Sequence, residues 1–153
     1  MTDSDSELWS ALVKRLTQVL ADAFEQRLRR HGLTLAQWGL LRRLWAQDGR
    51  SQVELQTLLQ VEAASVTGLV QRLERLGLVY RQADALDKRV RRVYLTDEGR
   101  ARAPLVRLLA EEVNAQALRD FTPEEQGMFR QMLVRAIGNV TGEEKRTAHE
   151  LHR

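Results

Sequence analysis

Apolar residues recur every three or four positions through Leu8, Leu12, Leu16, Val19, Leu20, Ala23, Phe24 and Leu28. That is the period of one long amphipathic helix, and Gly32 after His31 supplies its stop. A second helix opens at Thr34, three residues before Gln37 in capping-box spacing, and carries Trp38, Leu41, Leu44 and Trp45 inward until about Asp48 and Gly49. Ser51 and Glu54 repeat the spacing and open a short helix through Leu55, Leu58 and Leu59 to about Gln60. After a residue or two, a further helix runs from about Glu62 to Leu76. It has Val66, Leu69, Val70, Leu73 and Leu76 on one side and Gly77 as a left-handed cap. Two short helices joined so tightly predict a helix-turn-helix.

The period changes after Gly77. Leu78 to Ala83 and Val90 to Leu95 are β-prone runs separated by Asp84 to Arg89, which predicts a hairpin placed as a wing. Thr96, followed by Asp97 and Glu98, caps a long helix through Leu105, Leu108, Leu109, Val113 and Leu118, which Pro104 is expected to kink. Thr122, Pro123, Glu124 and Glu125 combine an N-cap, a first-position proline and a capping-box glutamate. The last helix then carries Phe129, Met132, Leu133, Ala136, Ile137 and Val140, with Gly138 and Gly142 weakening its end. No repeat, low-complexity tract or flexible linker interrupts the pattern. The expected fold class is mainly α with a small β-hairpin wing. A winged helix-turn-helix at 34–99 lies between long helical segments at 6–32 and 100–153, which serve as dimerisation helices, all within one domain spanning 1–153.

Composition narrows the function classes. A chain of 153 residues with 43% hydrophobic content can bury a core without staples and is not a disordered chain. Mean hydropathy of −0.42 and the lack of a long uncharged apolar run argue against a membrane span. The opening Met1 to Ser6 is polar and acidic, unlike a secretory signal, so the expected compartment is the cytoplasm. There is no cysteine, which excludes thiol-based oxidant sensing and thiolate zinc sites. The three histidines, His31, His149 and His152, have no second cluster that would complete a metal shell. None is paired with a nucleophile, and no glycine-rich phosphate loop occurs, so no enzyme, catalytic residue, metal or cofactor is expected.

Net charge is only +3, from 24 Lys and Arg against 21 Asp and Glu, so arrangement matters more than the sum. Around the helix from Glu62 to Leu76, Ala64, Gly68, Gln71 and Arg75 fall opposite the apolar stripe, flanked by Ser65, Thr67 and Arg72. Short residues let such a helix enter a major groove, while hydroxyl, amide and guanidinium groups meet phosphates and base edges. Ser65, Thr67, Gly68, Gln71 and Arg72 are the candidate recognition residues. In the hairpin, Arg81, Lys88, Arg89, Arg91 and Arg92 outnumber Asp84 and Asp87, which gives a cationic tip suited to the duplex backbone or a narrow minor groove. Asp87, Lys88, Arg89 and Arg91 are the candidate wing contacts, with Asp87 orienting Arg89 through a charge-assisted pair. A polar helix face alone is usually just solvated. A capped preceding helix, a tight turn and a basic hairpin around it point jointly to double-stranded DNA.

Several stretches together resemble the MarR family of regulators, including its SlyA branch, over Leu8 to about Val140. They are Leu33-Thr34-Leu35-Ala36-Gln37-Trp38, Ala64-Ser65-Val66-Thr67, Leu73-Glu74-Arg75-Leu76-Gly77-Leu78-Val79, Asp87-Lys88-Arg89 and Val93-Tyr94-Leu95-Thr96-Asp97-Glu98-Gly99. The resemblance implies a triangular helical dimer whose first and last two helices interlock, with two winged modules reading a pseudo-palindromic operator. Asp87 and Arg89 match the family's Asp-x-Arg element, which implies Arg89 in the minor groove, whereas Gly68 departs from the arginine or other polar residue often found at its position. The resemblance also implies that a small aromatic or phenolic anion weakens DNA binding from a cleft between the helical region and the winged module. Trp9, Arg15, Trp38 and Arg43 are the candidates for that effector pocket, with plain core the favoured reading of Trp38.

Apart from the family, the apolar stripes of the terminal helices exceed what a small winged module covers, so a homodimer is expected. Two-fold symmetry then places half-sites about 10 base pairs, or roughly 34 Å, apart. The expected function is a homodimeric sequence-specific transcription regulator, a repressor or an activator according to where its operator lies, with repression favoured. The alternative is a winged-fold protein-interaction dimer that does not bind DNA, motivated by Gly68 and the modest net charge.

Overall fold

The computed structural model describes residues 3–142, with side chains from Leu8 onward; His149 and His152 lie outside the described residues. The elements are α1 (Asp3–Arg30), α2 (Leu35–Ala46), β1 (Arg50–Ser51), α3 (Gln52–Leu59), α4 (Ala63–Arg75), β2 (Val79–Ala83), β3 (Arg91–Leu95), α5 (Asp97–Ala117) and α6 (Pro123–Thr141). The chain divides into two compact units between Asn114 and Ala115. Among the described residues no helix is long and apolar enough to cross a membrane.

Local chemistry starts the helices where the sequence places them. Thr34, Ser51 and Thr122 each accept a hydrogen bond from the backbone N–H three residues on. The side-chain oxygens of Gln37, Glu54 and Glu125 in turn accept from the cap's own N–H, so all three capping boxes form. Thr96 Oγ1 likewise accepts from Gly99 N at 3.0 Å at the head of α5. Gly77, at φ +70, ends α4 in the left-handed conformation that lets the chain turn directly into β2. Residue 104 is a proline within α5, and the helix continues through it as a single element.

The first unit holds the core. Phe24 and Leu28 of α1, Leu40, Leu41 and Leu44 of α2, Leu55 of α3, and Val66, Leu69, Val70 and Leu73 of α4 are buried. They join Val79, Val93 and Leu95 of the sheet and Val106, Leu109 and Val113 of α5. Several expected inward positions differ. Leu40 replaces Trp38 and Trp45 as the buried side of α2, and both tryptophans are only half-buried. Leu58 and Leu59 are half-buried as well. Leu76, the C-cap of α4, is 46% exposed although its backbone is still in the right-handed helical region. Leu108 is exposed and Leu105 half-buried, so the packed side of α5 runs through Val106, Leu109 and Val113 instead.

The sheet has three strands in the order β1-β3-β2, all antiparallel. The expected hairpin is present, with Val79 opposite Leu95 and Ala83 opposite Arg91. The third strand, β1, adds Arg50 opposite Val93 and Ser51 opposite Arg92, fastening the hairpin to the turn between α2 and α3. Tyr80 and Tyr94, directly opposite across the hairpin, stack at 5.5 Å between ring centroids. Gly49 makes that arrangement feasible: its φ is +72, and a Cβ there would lie 2.6 Å from the Tyr94 ring.

In the second unit α6 buries none of its residues. Phe121 and Phe129 meet edge to face at 6.0 Å. Met128, Met132, Ile137 and Val140 are exposed.

Candidate nucleic-acid interface

The buried stripe of α4 turns the opposite side of that helix outward: Ser65, Gln71, Arg72 and Arg75 are all exposed. Gly68 is half-buried, and a Cβ built there would meet nothing closer than the Arg72 guanidinium at 3.5 Å, so the site has room for a side chain. Thr67 is tied down. Gln52 Nε2 of α3 donates to its Oγ1 at 3.3 Å, joining the two helices of the motif. The exposed members of the expected recognition set are therefore Ser65, Gln71 and Arg72, and Thr67 sits at the seam with α3.

Two acid–base networks anchor the wing, one to this helix and one to α3 and the turn before it. Glu74 of α4 accepts from the backbone N–H of Arg81 at 3.1 Å and lies 2.8 Å from its guanidinium. Arg92 donates from Nε to Asp84, donates from NH1 to the carbonyl of Gly49 at 3.0 Å, and lies 3.5 Å from Glu54. Asp84 also accepts from the backbone N–H of Leu86 at 2.8 Å and of Asp87 at 3.1 Å, closing the tip as a turn. The Arg92 guanidinium first, then those two amides, hold the Asp84 carboxyl down to about 2. Asp84 in turn pushes Arg92 upward. Glu54 is lowered mainly by its hydrogen bonds from Ser51. Arg81 and Arg92, counted in the sequence among the cations of the tip, are thus engaged by Glu74 and Asp84 at its base.

The tip itself presents Lys88, Arg89 and Arg91, all exposed. The Arg89 side chain is 91% exposed, yet its guanidinium is fixed by Asp87 through Nε at 3.1 Å and NH2 at 3.2 Å. That pairing, with the Arg89 backbone N–H, lowers the Asp87 carboxyl below its ordinary value. Asp87 therefore stays anionic at neutral pH and orients the arginine.

The effector candidates are not brought together. Trp9 and Arg15 are exposed on α1. Arg43 NH2 donates to the Leu58 carbonyl at 3.1 Å, which draws it toward α3, and its Nε is buried without a partner among the described residues. Trp38 packs edge to face on Phe24 at 5.0 Å, with the Arg42 guanidinium 5.2 Å from its ring centroid. It also lines a cavity of about 630 Å³ between α2 and α5, together with Trp45, Pro104, Arg107, Leu108 and Glu111. In the sequence Trp45 was read only as an inward residue of α2, and Arg107 and Glu111 were not singled out. The contact joins segments about sixty residues apart, and helical periodicity carries no signal for it.

Residues 33–90 match the sequence profile of the MarR family. The HTH-type transcriptional regulator TtmR of Methylorubrum extorquens (strain PA1) is 35% identical over 96 residues, which is 63% of this chain and 49% of that protein, so the match spans about half of TtmR. Transcriptional regulator HosA of Escherichia coli O127:H6 is 34% identical over 108 residues, 71% of this chain and 79% of HosA. Among solved structures, that of MepR, a transcription regulator of the Staphylococcus aureus multidrug efflux pump MepA, superimposes with a TM-score of 0.78 at 25% identity. It covers 86% of this chain and 98% of MepR.

Proposed function

The chain belongs to the MarR family of DNA-binding transcriptional regulators, and from that premise we propose that it works as a homodimer that reads an inverted repeat and represses the promoter it covers. The carrying observation is the composite surface of one unit. The α4 face of Ser65, Gln71 and Arg72 stands free of the core, while the neighbouring wing offers an Arg89 already oriented by Asp87. A helix face of that character suits a major groove, and an oriented arginine suits the adjacent minor groove. Dimerisation is supported by apolar side chains that the described chain leaves in solvent. Leu8, Trp9, Leu12, Val13 and Val19 of α1 and Met128, Met132, Ile137 and Val140 of α6 are all exposed.

Relief of repression by a small aromatic anion is the remaining part of the reading. The α2–α5 cavity supports it by combining two indoles with the Arg107 guanidinium, although Glu111 restricts where an anionic group can sit. With DNA as the partner, the protein works in the cytoplasm.

Arg89→Ala tests the assignment. Duplex affinity should fall by more than about tenfold, near 1.4 kcal/mol, with the dimer intact. An unchanged affinity would remove the wing from the interface and favour a dimer whose partners are proteins.

A further inference from the structure

We propose that Arg29, Arg72 and Arg75, with Gln37 between them, form a pocket for one DNA phosphate at the C-terminal end of α4. It would be a third backbone anchor in addition to the helix face and the wing. The inference rests on the DNA-binding reading and extends it from Arg72, already in the recognition set, to Arg29, Gln37 and Arg75, which lie outside both expected contact sets.

Three helices meet there. The end of α1 brings Arg29, the start of α2 brings Thr34 and Gln37, and the end of α4 brings Arg72, Arg75 and Leu76, around a cavity of about 410 Å³. Basic residues in a helix's last turn complement its dipole, which accounts for each arginine singly. It does not account for two helices delivering theirs to one cavity. Arg72 and Arg75 have no carboxylate partner among the described residues, in contrast to Arg81, Arg89 and Arg92 of the wing. Arg29 keeps Glu25 at 2.9 Å, on a side chain 69% exposed.

Gln37 gives the second, independent sign. It is only 6% exposed, and its Oε1 is committed to the backbone N–H of Thr34 at 2.9 Å. That bond fixes the amide orientation, so Nε2 is the group left over, and it has no acceptor among the described residues. On a residue that lines the arginine pocket, this N–H₂ is not sealed from solvent and is free to donate to an acceptor oxygen entering there.

Length selects the DNA backbone as the source of that oxygen. From Ser65 to Arg75 the exposed face of α4 extends about 15 Å at the helical rise. The major groove is about 12 Å wide, so a helix whose first half faces base edges ends against a strand's phosphates. Arg72 and Arg75 lie three residues apart on that same face, so the pocket continues the recognition surface. A guanidinium pair is the side-chain chemistry best matched to a phosphate diester.

The test uses the full-length protein and the inverted repeat enriched from a random duplex pool. Affinity is measured by fluorescence anisotropy over a salt series for wild type, Arg75→Gln, Arg29→Gln and Arg119→Gln. Arg119, in the loop before α6, carries the same charge and is not one of the residues that line the pocket. Arg75→Gln should lower the slope of log affinity against log salt by about 0.9, weakening the repeat and unrelated duplexes alike. Arg29→Gln should follow it, and Arg119→Gln should keep the wild-type slope. Wild-type slopes in both pocket variants, or an equal loss in Arg119→Gln, would overturn the proposal. Sodium phosphate alone is titrated into wild type by NMR. Saturable binding that Arg75→Gln abolishes while the salt slope stays unchanged would reassign the pocket to a free anion and overturn the DNA assignment. A wild-type protein that enriches no duplex defeats the DNA-binding reading itself, before any variant is made.

Discussion

Arg89 and Asp87 are joined by three hydrogen bonds: the backbone N–H and Nε of Arg89 donate to Oδ1 at 3.0 and 3.1 Å, and NH2 donates to Oδ2 at 3.2 Å. The carboxylate has two opposed effects on a DNA contact. It fixes a side chain that would otherwise lose rotamer freedom on binding, and it places a negative charge near phosphates. Fixing should dominate, because the guanidinium already screens the charge. Asp87→Asn is expected to weaken duplex binding about three- to tenfold. Tighter binding by this variant would show that repulsion dominates.

The base of the wing carries a pH signature. Arg92 and two backbone amides hold Asp84 down to about 2, so its contribution is complete above the ordinary value of 3.8 and is lost only as pH falls toward about 2. Wing order should therefore be constant across neutral and mildly acid pH. In a carboxyl NMR titration, Arg92→Gln should move the Asp84 midpoint upward toward 3.8. An unmoved midpoint would mean that the amides of Leu86 and Asp87 alone hold the charge.

Gly99 sits where helix propensity and packing oppose each other. Alanine is the better helix former by about 1 kcal/mol. A Cβ at residue 99, however, would lie 2.0 Å from the backbone carbonyl oxygen of Leu78 and 3.3 Å from Leu95. The Gly99 carbonyl also accepts from Trp45 Nε1 at 2.9 Å, so the backbone has little freedom to withdraw. Gly99→Ala should destabilise the protein by about 2 kcal/mol or more in urea unfolding, despite its propensity. A neutral or stabilising result would show that the start of α5 can slide away from β2.

Most of what the sequence made legible was local. Three capping boxes, the left-handed Gly77 and the two β-prone runs of the hairpin lie within a few residues of the structure they specify, and each took the form expected. The two-residue strand β1 was not legible, because Arg50 and Ser51 are a strand only by virtue of Val93 and Arg92, some forty residues later. The partners of Arg81 and Arg92, Glu74 and Asp84, lie only seven and eight residues away but were hidden for another reason: composition could count the arginines only as free positive charge. Leu76 illustrates a third limit: it keeps the helical spacing of Leu69 and Leu73, but α4 ends at Arg75 and Leu76 beyond it is 46% exposed. Periodicity equally failed to separate core from exposed apolar surface on α6, where a clear stripe is left in solvent.

That stripe provides a test of the dimer. Ile137 is 59% exposed, on a helix with no buried residue, so in an isolated chain a charge there would disturb nothing packed. Ile137→Glu should leave the helical circular dichroism of the first unit in place and halve the mass seen by light scattering. Duplex affinity should fall by about a hundredfold or more, as one half-site is lost. An unchanged mass would exclude this face of α6 from the interface.

The central claim, a dimer that reads an inverted repeat, is tested most directly by selecting bound duplexes from a random pool with the purified protein at two salt concentrations. The higher salt suppresses phosphate attraction and leaves base readout. The expected result is an enriched inverted repeat with half-site centres about 10 base pairs apart, sharpened at the higher salt. A pool that binds at low salt, loses all binding at high salt and never enriches a sequence would contradict it.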